Sequence, residues 1–141
     1  MNSGAASPFH RQVIKARHDL RNPLAHILGF SEMLGEHAVK VNLPGLRADS
    51  QLINAVAEKI LAEVNQTLDP VKLESGEGQV PRLQEQLQSL TNQILQLTQN
   101  AAARFGHLRD DVITNDLARI TGAAEKLIEL AQSILPPLSP Q

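Results

Sequence analysis

Residues 13–34 read VIKARHDLRNPLAHILGFSEML and carry the pattern that decides the fold. Apolar residues recur there at spacings of 3, 4 and 7, which at about 100° per residue places them on one stripe of an α-helix. Measured from Leu20, His18 lies at about 160° and Asn22 at about 200°, on the opposite side of such a helix. The pattern predicts an amphipathic helix that buries the stripe and exposes His18 and Asn22. The stripe consists of Val13, Leu20, Leu24, Ile27 and Leu34.

The composition of the whole chain also favours helices. Its 141 residues include only three aromatic residues, all Phe, and no Cys. β-Sheet proteins place aromatic and β-branched residues on their strands, whereas this chain is rich in Ala, Leu, Gln and Glu. The lack of Cys excludes a disulfide framework and a thiolate zinc site. We therefore expect an all-α protein, and the length corresponds to one domain.

The charge balance argues against a nucleic-acid binder. The 13 Lys and Arg and the 15 Asp and Glu give a formal net charge of −2. Neutralising a phosphate backbone requires clustered cations, and no basic cluster is visible. No run of about 18 apolar residues occurs, and the start lacks a basic stretch leading into an apolar one. We expect no nucleic acid, no membrane span and a cytoplasmic location.

Breaker residues divide the chain into four predicted helices. Pro44-Gly45 is a turn signal, Asp49 is a possible N-cap for the second helix, and Pro81 suits the first turn of the third. Five of the tail residues from Leu135 to Gln141 are Pro, Ser or Gln, so the tail is predicted to be extended and to lack an apolar face. The predicted helices are residues 9–39, 49–69, 81–107 and 111–135. The predicted organisation is a hairpin over residues 1–70, a linker over 71–80, a second hairpin over 81–135 and a Pro-rich tail over 136–141.

An internal repeat relates the two hairpins at an offset of 67 residues. Residues 116–137 match residues 49–70 at seven of 22 positions without a gap. Common helical periodicity is the alternative explanation. We interpret the match as two copies of one hairpin, which can close into an up-and-down four-helix bundle within one chain. The identities are Asp116/Asp49, Ile120/Ile53, Ala124/Ala57, Glu125/Glu58, Lys126/Lys59, Leu135/Leu68 and Pro137/Pro70.

The string Arg17-His18-Asp19-Leu20-Arg21-Asn22-Pro23-Leu24 resembles the phosphoacceptor box of sensor histidine kinases. In the dimerisation and histidine-phosphotransfer (HisKA, DHp) domains of those kinases, His-Glu/Asp-Leu-Arg-Asn/Thr-Pro-Leu lies on a two-helix hairpin. All seven positions from His18 to Leu24 fit, and the resemblance covers about the first 70 residues. The alternatives are that His18 is an ordinary surface histidine and that Asn22-Pro23 only starts a helix.

The resemblance implies a role for each residue of the box. His18 would accept the phosphoryl group and Asp19 would act as the base. Asn22 would help to position the water that hydrolyses a partner's aspartyl phosphate, and Pro23 would kink the helix below the site. A docking ridge for a response-regulator receiver domain is expected around four residues of the same helix, namely Arg17, Arg21, Ala25 and Gly29.

The sequence departs from the family in two ways. Nothing after Leu73 resembles the ATP-binding domain, so we expect no autonomous ATP-dependent kinase: ATP would act only through a kinase domain in cis or in trans, and Mg²⁺ would come from the receiver. At the offset of 67, Glu85 stands opposite His18 and Ser89 opposite Asn22, so the second copy has lost the acceptor. We expect a single-chain pseudo-dimer in preference to a homodimer through the first hairpin.

Two other functions stay open at this point. The chain is either a phosphotransfer domain of a phosphorelay or a degenerate histidine-kinase-like bundle that transmits signals through contacts without being phosphorylated. A third possibility is part of an intact histidine kinase. We expect no cofactor and no metal site, because the other histidines have no acidic or His partner at i+4, and most of them are expected to be solvated. These are His10, His26, His37 and His107.

Overall fold

A computed structural model describes residues 7–76 and 79–138 of the chain. Throughout that part of the chain the secondary structure is helical, without strands, and four long helices pack together, which confirms the all-α prediction. Each helix of the first hairpin contacts both its own partner and one helix of the second hairpin: α1 packs on α2 and α5, and α4 packs on α2 and α5. The helices are α1 Pro8–Lys40, α2 Pro44–Thr67, α3 Pro70–Glu74, α4 Val80–Phe105 and α5 Asp111–Ile134, with 3₁₀ turns at Gly106–Leu108 and Pro136–Leu138.

Proline determines where α2 begins. The helix begins at Pro44, with Leu43 as an N-cap that makes no side-chain hydrogen bond. Proline is tolerated at a first helical position because it has no N–H to satisfy and its φ is already helical. The prediction of Asp49 as the N-cap is therefore wrong. Asp49 lies inside α2, and its carboxylate instead accepts a hydrogen bond at 3.0 Å from Arg104 of α4.

Part of the predicted linker is helical. Asp69 is the N-cap of the short helix α3, and its carboxylate accepts hydrogen bonds from the backbone N–H groups of Val71 and Lys72. Gly76 follows with a φ of 83°, a left-handed conformation that favours glycine. The linker predicted over residues 71–80 thus loses its first residues to α3, and residues 77 and 78 lie outside the described residues.

The described part of the tail packs against the bundle, so the prediction of an extended segment without an apolar face is wrong there. Pro136–Leu138 form a 3₁₀ turn, and its last backbone N–H bonds the Leu135 carbonyl at 3.0 Å. Leu138 is only 4% exposed, and Leu135 is fully buried. Two prolines end α5, but the turn that they form folds an apolar side chain back onto the core. Residues 139–141 lie outside the described part.

The apolar stripe of the first helix forms part of the core as predicted, because all five of its side chains are fully buried. The offset of 67 residues recurs in the structure: α2 and α5 each contain 24 residues and begin 67 positions apart. Every buried residue of α2 has a buried counterpart in α5, and every buried residue of α4 has one in α1. The two hairpins therefore bury the same positions around one shared core.

Candidate functional site

The helix α1 carries His18 and Asn22 on its solvent side. Both side chains are exposed, whereas Leu20, Pro23 and Leu24 between and beside them are buried. The helix continues through Pro23, so Asn22-Pro23 does not start a helix and that alternative is wrong. The missing N–H of Pro23 leaves the Asp19 carbonyl without its usual partner in the helix. The kink expected at Pro23 stays a prediction.

His18 and Asn22 form a ridge between two shallow grooves. One groove, of about 350 Å³, lies between α1 and α5; we name it the α1–α5 groove. The other, of about 340 Å³, lies between α1 and α2; we name it the α1–α2 groove. His18 and Asn22 line both of them, so the imidazole is accessible from two sides. The α1–α5 groove is also lined by Asp19, Pro23, His26, Ala123, Lys126 and Leu130, and the α1–α2 groove by Arg21, Ala25, Leu28 and Leu61.

Asp19 is held by Lys15, one turn earlier on α1. The Lys15 Nζ donates to Asp19 Oδ2 at 2.7 Å, and the Asp19 side chain is about one-quarter exposed. Among the hydrogen bonds of residues 7–76 and 79–138, none joins Asp19 to His18. The carboxylate of Asp19 nevertheless lines the same groove as the imidazole. It is therefore paired with a cation and oriented beside His18 without being hydrogen-bonded to it.

The structure places the four predicted docking residues differently. Arg21 and Ala25 line the α1–α2 groove beside His18. Gly29 is exposed, and a Cβ added there would meet no atom within 4 Å. Arg17 lines neither groove: its Nη1 donates to the Leu68 carbonyl at 3.5 Å, just after the end of α2. Arg17 thus interacts with the negative end of the α2 dipole and connects the two helices of the first hairpin.

Lys126 is a site residue that sequence reasoning missed. It lies on α5, more than 100 positions from His18 in the chain, and lines the α1–α5 groove with it. Its ammonium lies 3.7 Å from Glu129 Oε1 in an exposed pair. The repeat alignment pairs Lys126 with Lys59, but that match contains no information about which helix packs beside α1. Only the packing of α5 against α1 reveals the juxtaposition.

His37 departs from the expectation that the remaining histidines are solvated. It is half-buried near the end of α1, and its Nε2 bonds Asp110 Oδ2 at 2.7 Å. Asp110 is the N-cap of α5 and accepts hydrogen bonds from the N–H groups of Val112 and Ile113. The hydrogen bond from His37 lowers the pKa of Asp110 most, and the two backbone N–H groups lower it further. A sequence search for partners at i+4 cannot detect a pair that joins two helices.

Asp116 is the one buried carboxylate of the described core, only 2% exposed. Burial raises its pKa, and the nearby Arg119 and His37 oppose that shift. Arg119 lies 3.6 Å from one carboxylate oxygen, while the other oxygen, Oδ2, has no hydrogen-bond partner. Its counterpart in the first hairpin is Asp49, which has the Arg104 guanidinium at 3.0 Å. The two hairpins therefore satisfy the same acidic position unequally.

The counterpart of the His18 ridge in the second hairpin is polar and lacks a histidine. Glu85 and Ser89 are exposed on α4 and line a groove of about 750 Å³ between α4 and α5. Gln84 and Gln88 stand there in the positions of Arg17 and Arg21. The cationic and nucleophilic groups of the first face are thus replaced by amides, a hydroxyl and a carboxylate.

Metal binding and membrane insertion find no support in the described residues. No group of three or more His, Cys, Asp or Glu side chains there could hold a metal ion. A search of the same residues for a helix long and apolar enough to cross a membrane found none. The ridge therefore offers side-chain chemistry only: an imidazole, a carboxylate, an amide and nearby cations.

Comparison with known proteins identifies the first hairpin. Residues 11–76 match the family model of the His Kinase A (phospho-acceptor) domain, HisKA. No curated protein and no solved structure matches the chain. The matched segment spans α1 from its second turn, α2 and α3, and it contains the whole ridge. A HisKA domain has a phosphoacceptor role in two-component signalling. The hairpin that exposes His18 is a His Kinase A (phospho-acceptor) domain.

Proposed function

We propose that His18 exchanges a phosphoryl group with the phosphorylated Asp of a response-regulator receiver domain. One observation carries this proposal: His18 is exposed on a ridge between two grooves, within the segment that matches HisKA. A phosphorylated receiver is a large partner, and a histidine with open space on both sides can be reached by it. Small residues beside the ridge, Ala25 and Gly29, leave room for the approach.

The reaction is a displacement at phosphorus. An unprotonated ring nitrogen of His18 attacks the phosphorus of the receiver's aspartyl phosphate. A nitrogen–phosphorus bond forms, the phosphorus–oxygen bond breaks, and the receiver Asp leaves as a carboxylate. In the reverse direction the receiver carboxylate attacks and the imidazole leaves. The receiver supplies Mg²⁺, and no cofactor is bound by this chain in the proposed reaction.

Asp19 and Asn22 have supporting roles in this scheme. Asp19 takes the imidazole proton when His18 is phosphorylated, and Lys15 orients its carboxylate through the contact at 2.7 Å. Asn22 lies one turn after His18 and lines both grooves, so its amide can orient a water toward the receiver's aspartyl phosphate. Arg21, in the α1–α2 groove, faces the acidic pocket of the receiver.

The four-helix bundle is proposed to act as a single-chain pseudo-dimer. The second hairpin occupies the place that another subunit's hairpin has in the family, and it buries the same positions as the first. Contacts between hairpins support this arrangement, including Arg104 with Asp49 and His37 with Asp110. Sedimentation at micromolar concentration is expected to give a monomer. A species that is only dimeric would rule out the pseudo-dimer.

The direct test is transfer of radiolabel from a phosphorylated receiver domain to the wild-type chain and to His18→Gln. We expect acid-labile, alkali-stable label on the wild type and a loss of at least about 100-fold in the variant, since a ring nitrogen is required for attack. Circular dichroism should show the same helicity for both proteins. Glu85→Gln, at the equivalent position of the second hairpin, is the matched control and should label like the wild type.

A non-catalytic interaction bundle is the second candidate function. The observation that favours it is the second face, where a broad groove lined by Glu85 and Ser89 replaces the acceptor ridge. A folded wild-type chain that stays unlabelled across a broad receiver panel would establish this alternative and exclude phosphotransfer. ATP, in either case, would act through a separate kinase domain in cis or in trans.

A further inference from the structure

We propose that Lys126 binds the phosphoryl group carried by His18, so that the two hairpins build the phosphoacceptor site together. This inference rests on the proposed function and adds a binding residue to it. The carrying observation is that Lys126 of α5 and His18 of α1 line one groove of about 350 Å³. That space exceeds the size of a phosphoryl group, and it opens directly beside the imidazole.

The charges around the groove make Lys126 the cation that is available to a phosphoryl group. Four titratable side chains line the groove: His18, Asp19 and His26 from α1, and Lys126 from α5. Asp19 is already neutralised by Lys15 at 2.7 Å. Phosphorylation of His18 adds nearly two negative charges to a groove whose other carboxylate is already paired. The Lys126 ammonium is the group that can balance them.

The present partner of Lys126 holds it only weakly. Glu129 Oε1 lies 3.7 Å from the Lys126 Nζ, beyond hydrogen-bond distance, and both side chains are more than half exposed. Exposed ion pairs of this kind contribute little, because solvent screens them and two flexible side chains must be ordered. A phosphoryl group offers three strong acceptor oxygens and a larger charge, so it competes effectively for the ammonium.

The repeat provides a matched control. Lys59 occupies the position of Lys126 in α2, 67 residues earlier, and is also exposed. It lies on a helix that packs against α4, whose residue opposite His18 is Glu85. Lys59 does not line either groove at His18. The same substitution at the two positions therefore changes charge and helix propensity equally, but removes a cation from the His18 groove in only one case.

The test uses phosphoramidate, which phosphorylates imidazoles without a receiver, followed by a phosphorus NMR titration of the phosphohistidine. The signal of His18 is identified by its loss in His18→Gln. In Lys126→Met, which keeps an apolar stem, we expect the pKa of the phosphoryl group to rise by about half a pH unit, because a cation stabilises the dianion. Lys59→Met should match the wild type, and Lys126→Arg should restore the lower pKa.

A further variant separates binding from structure. Glu129→Gln removes the weak partner of Lys126 but keeps the ammonium, so its phosphoryl pKa should stay at or below that of the wild type. Equal pKa values in wild type, Lys126→Met and Lys59→Met would overturn the inference. The readout does not depend on a receiver: a wild type that takes label from no receiver refutes the proposed function, while the titration still decides the role of Lys126.

Discussion

The two hairpins of this chain bury the same positions and expose different chemistry. Leu87 lies in the core at the position of Leu20, and Ile94 at that of Ile27. On the outer face, His18 is replaced by Glu85 and Asn22 by Ser89. Buried positions are constrained by every neighbour that they touch, whereas exposed positions are constrained only by what binds there. The comparison teaches that the core is shared by both halves, while the phosphoacceptor box belongs to one.

The largest expected difference between the halves concerns Pro23 and its counterpart Leu90, both buried. Leu90→Ala should lower the free energy of unfolding by about 2–5 kcal/mol, because it removes a core side chain and leaves a cavity. Pro23→Ala should instead raise it by about 1 kcal/mol, since a helical N–H is regained and offsets the lost packing. Urea denaturation of the two variants measures both values. Loss of stability in Pro23→Ala comparable to that in Leu90→Ala would show that Pro23 acts as a packing residue.

The acidic pair Asp49 and Asp116 should respond with opposite signs to the same substitution. Asp49→Asn breaks the ion pair with Arg104 and should cost about 0.5–1 kcal/mol at pH 7. Asp116→Asn removes a buried charge whose second oxygen lacks a partner and should stabilise the fold at pH 7 by less than about 1 kcal/mol, because the contact with Arg119 is also lost.

The pH dependence sharpens this prediction. Burial raises the folded-state pKa of Asp116 above its ordinary value of 3.8. Protonation of Asp116 therefore stabilises the folded state below pH 3.8, and that contribution is lost as the pH rises through the raised pKa. The advantage of Asp116→Asn should accordingly vanish when denaturation is repeated near pH 3.5. An advantage of equal size at pH 3.5 and pH 7 would show that the buried charge of Asp116 is not what destabilises the wild type.

The smallest expected effects come from two exposed helical glycines, Gly29 on α1 and Gly122 on α5. A Cβ added at either position meets no atom within 4 Å. Alanine should therefore raise the free energy of unfolding by about 0.5–1 kcal/mol in both variants, through helix propensity alone. If Gly29 belongs to the docking ridge, Gly29→Ala alone should slow label transfer from a receiver, by about 2- to 10-fold. Equal transfer rates for the two variants would remove Gly29 from the ridge.

The parts of the fold that follow from periodicity could be predicted from the sequence. The stripe from Val13 to Leu34 is buried as expected, and His18 with Asn22 faces solvent, because helical geometry alone relates their positions. The start of α2 was misplaced because two signals competed: Asp49 has the side chain of an N-cap, but Pro44 fits a first turn. The tail was misjudged because Leu138 becomes apolar core only once the Pro136–Leu138 turn brings it back.

Contacts between hairpins could not be predicted in the same way. His37 pairs with Asp110, and Lys126 lies beside His18, across intervals that no helical repeat connects. Such pairs depend on which helix packs beside which, and on the rotation of each about its axis. The resemblance of Arg17–Leu24 to the phosphoacceptor box located the ridge itself. It contained no information about the groups that the second hairpin adds to it.

The covalent connection between α3 and α4 has a consequence for how such a bundle can change. The two hairpins are joined by the few residues from Ser75 to Gln79, so each meets the other at an effective concentration in the millimolar range. Dilution and low expression therefore do not separate them. In a symmetric dimer one codon alters both faces at once, but in this chain a mutation at Glu85 changes one face and leaves His18 untouched. Gene fusion of this kind lets one half specialise while the other keeps its chemistry.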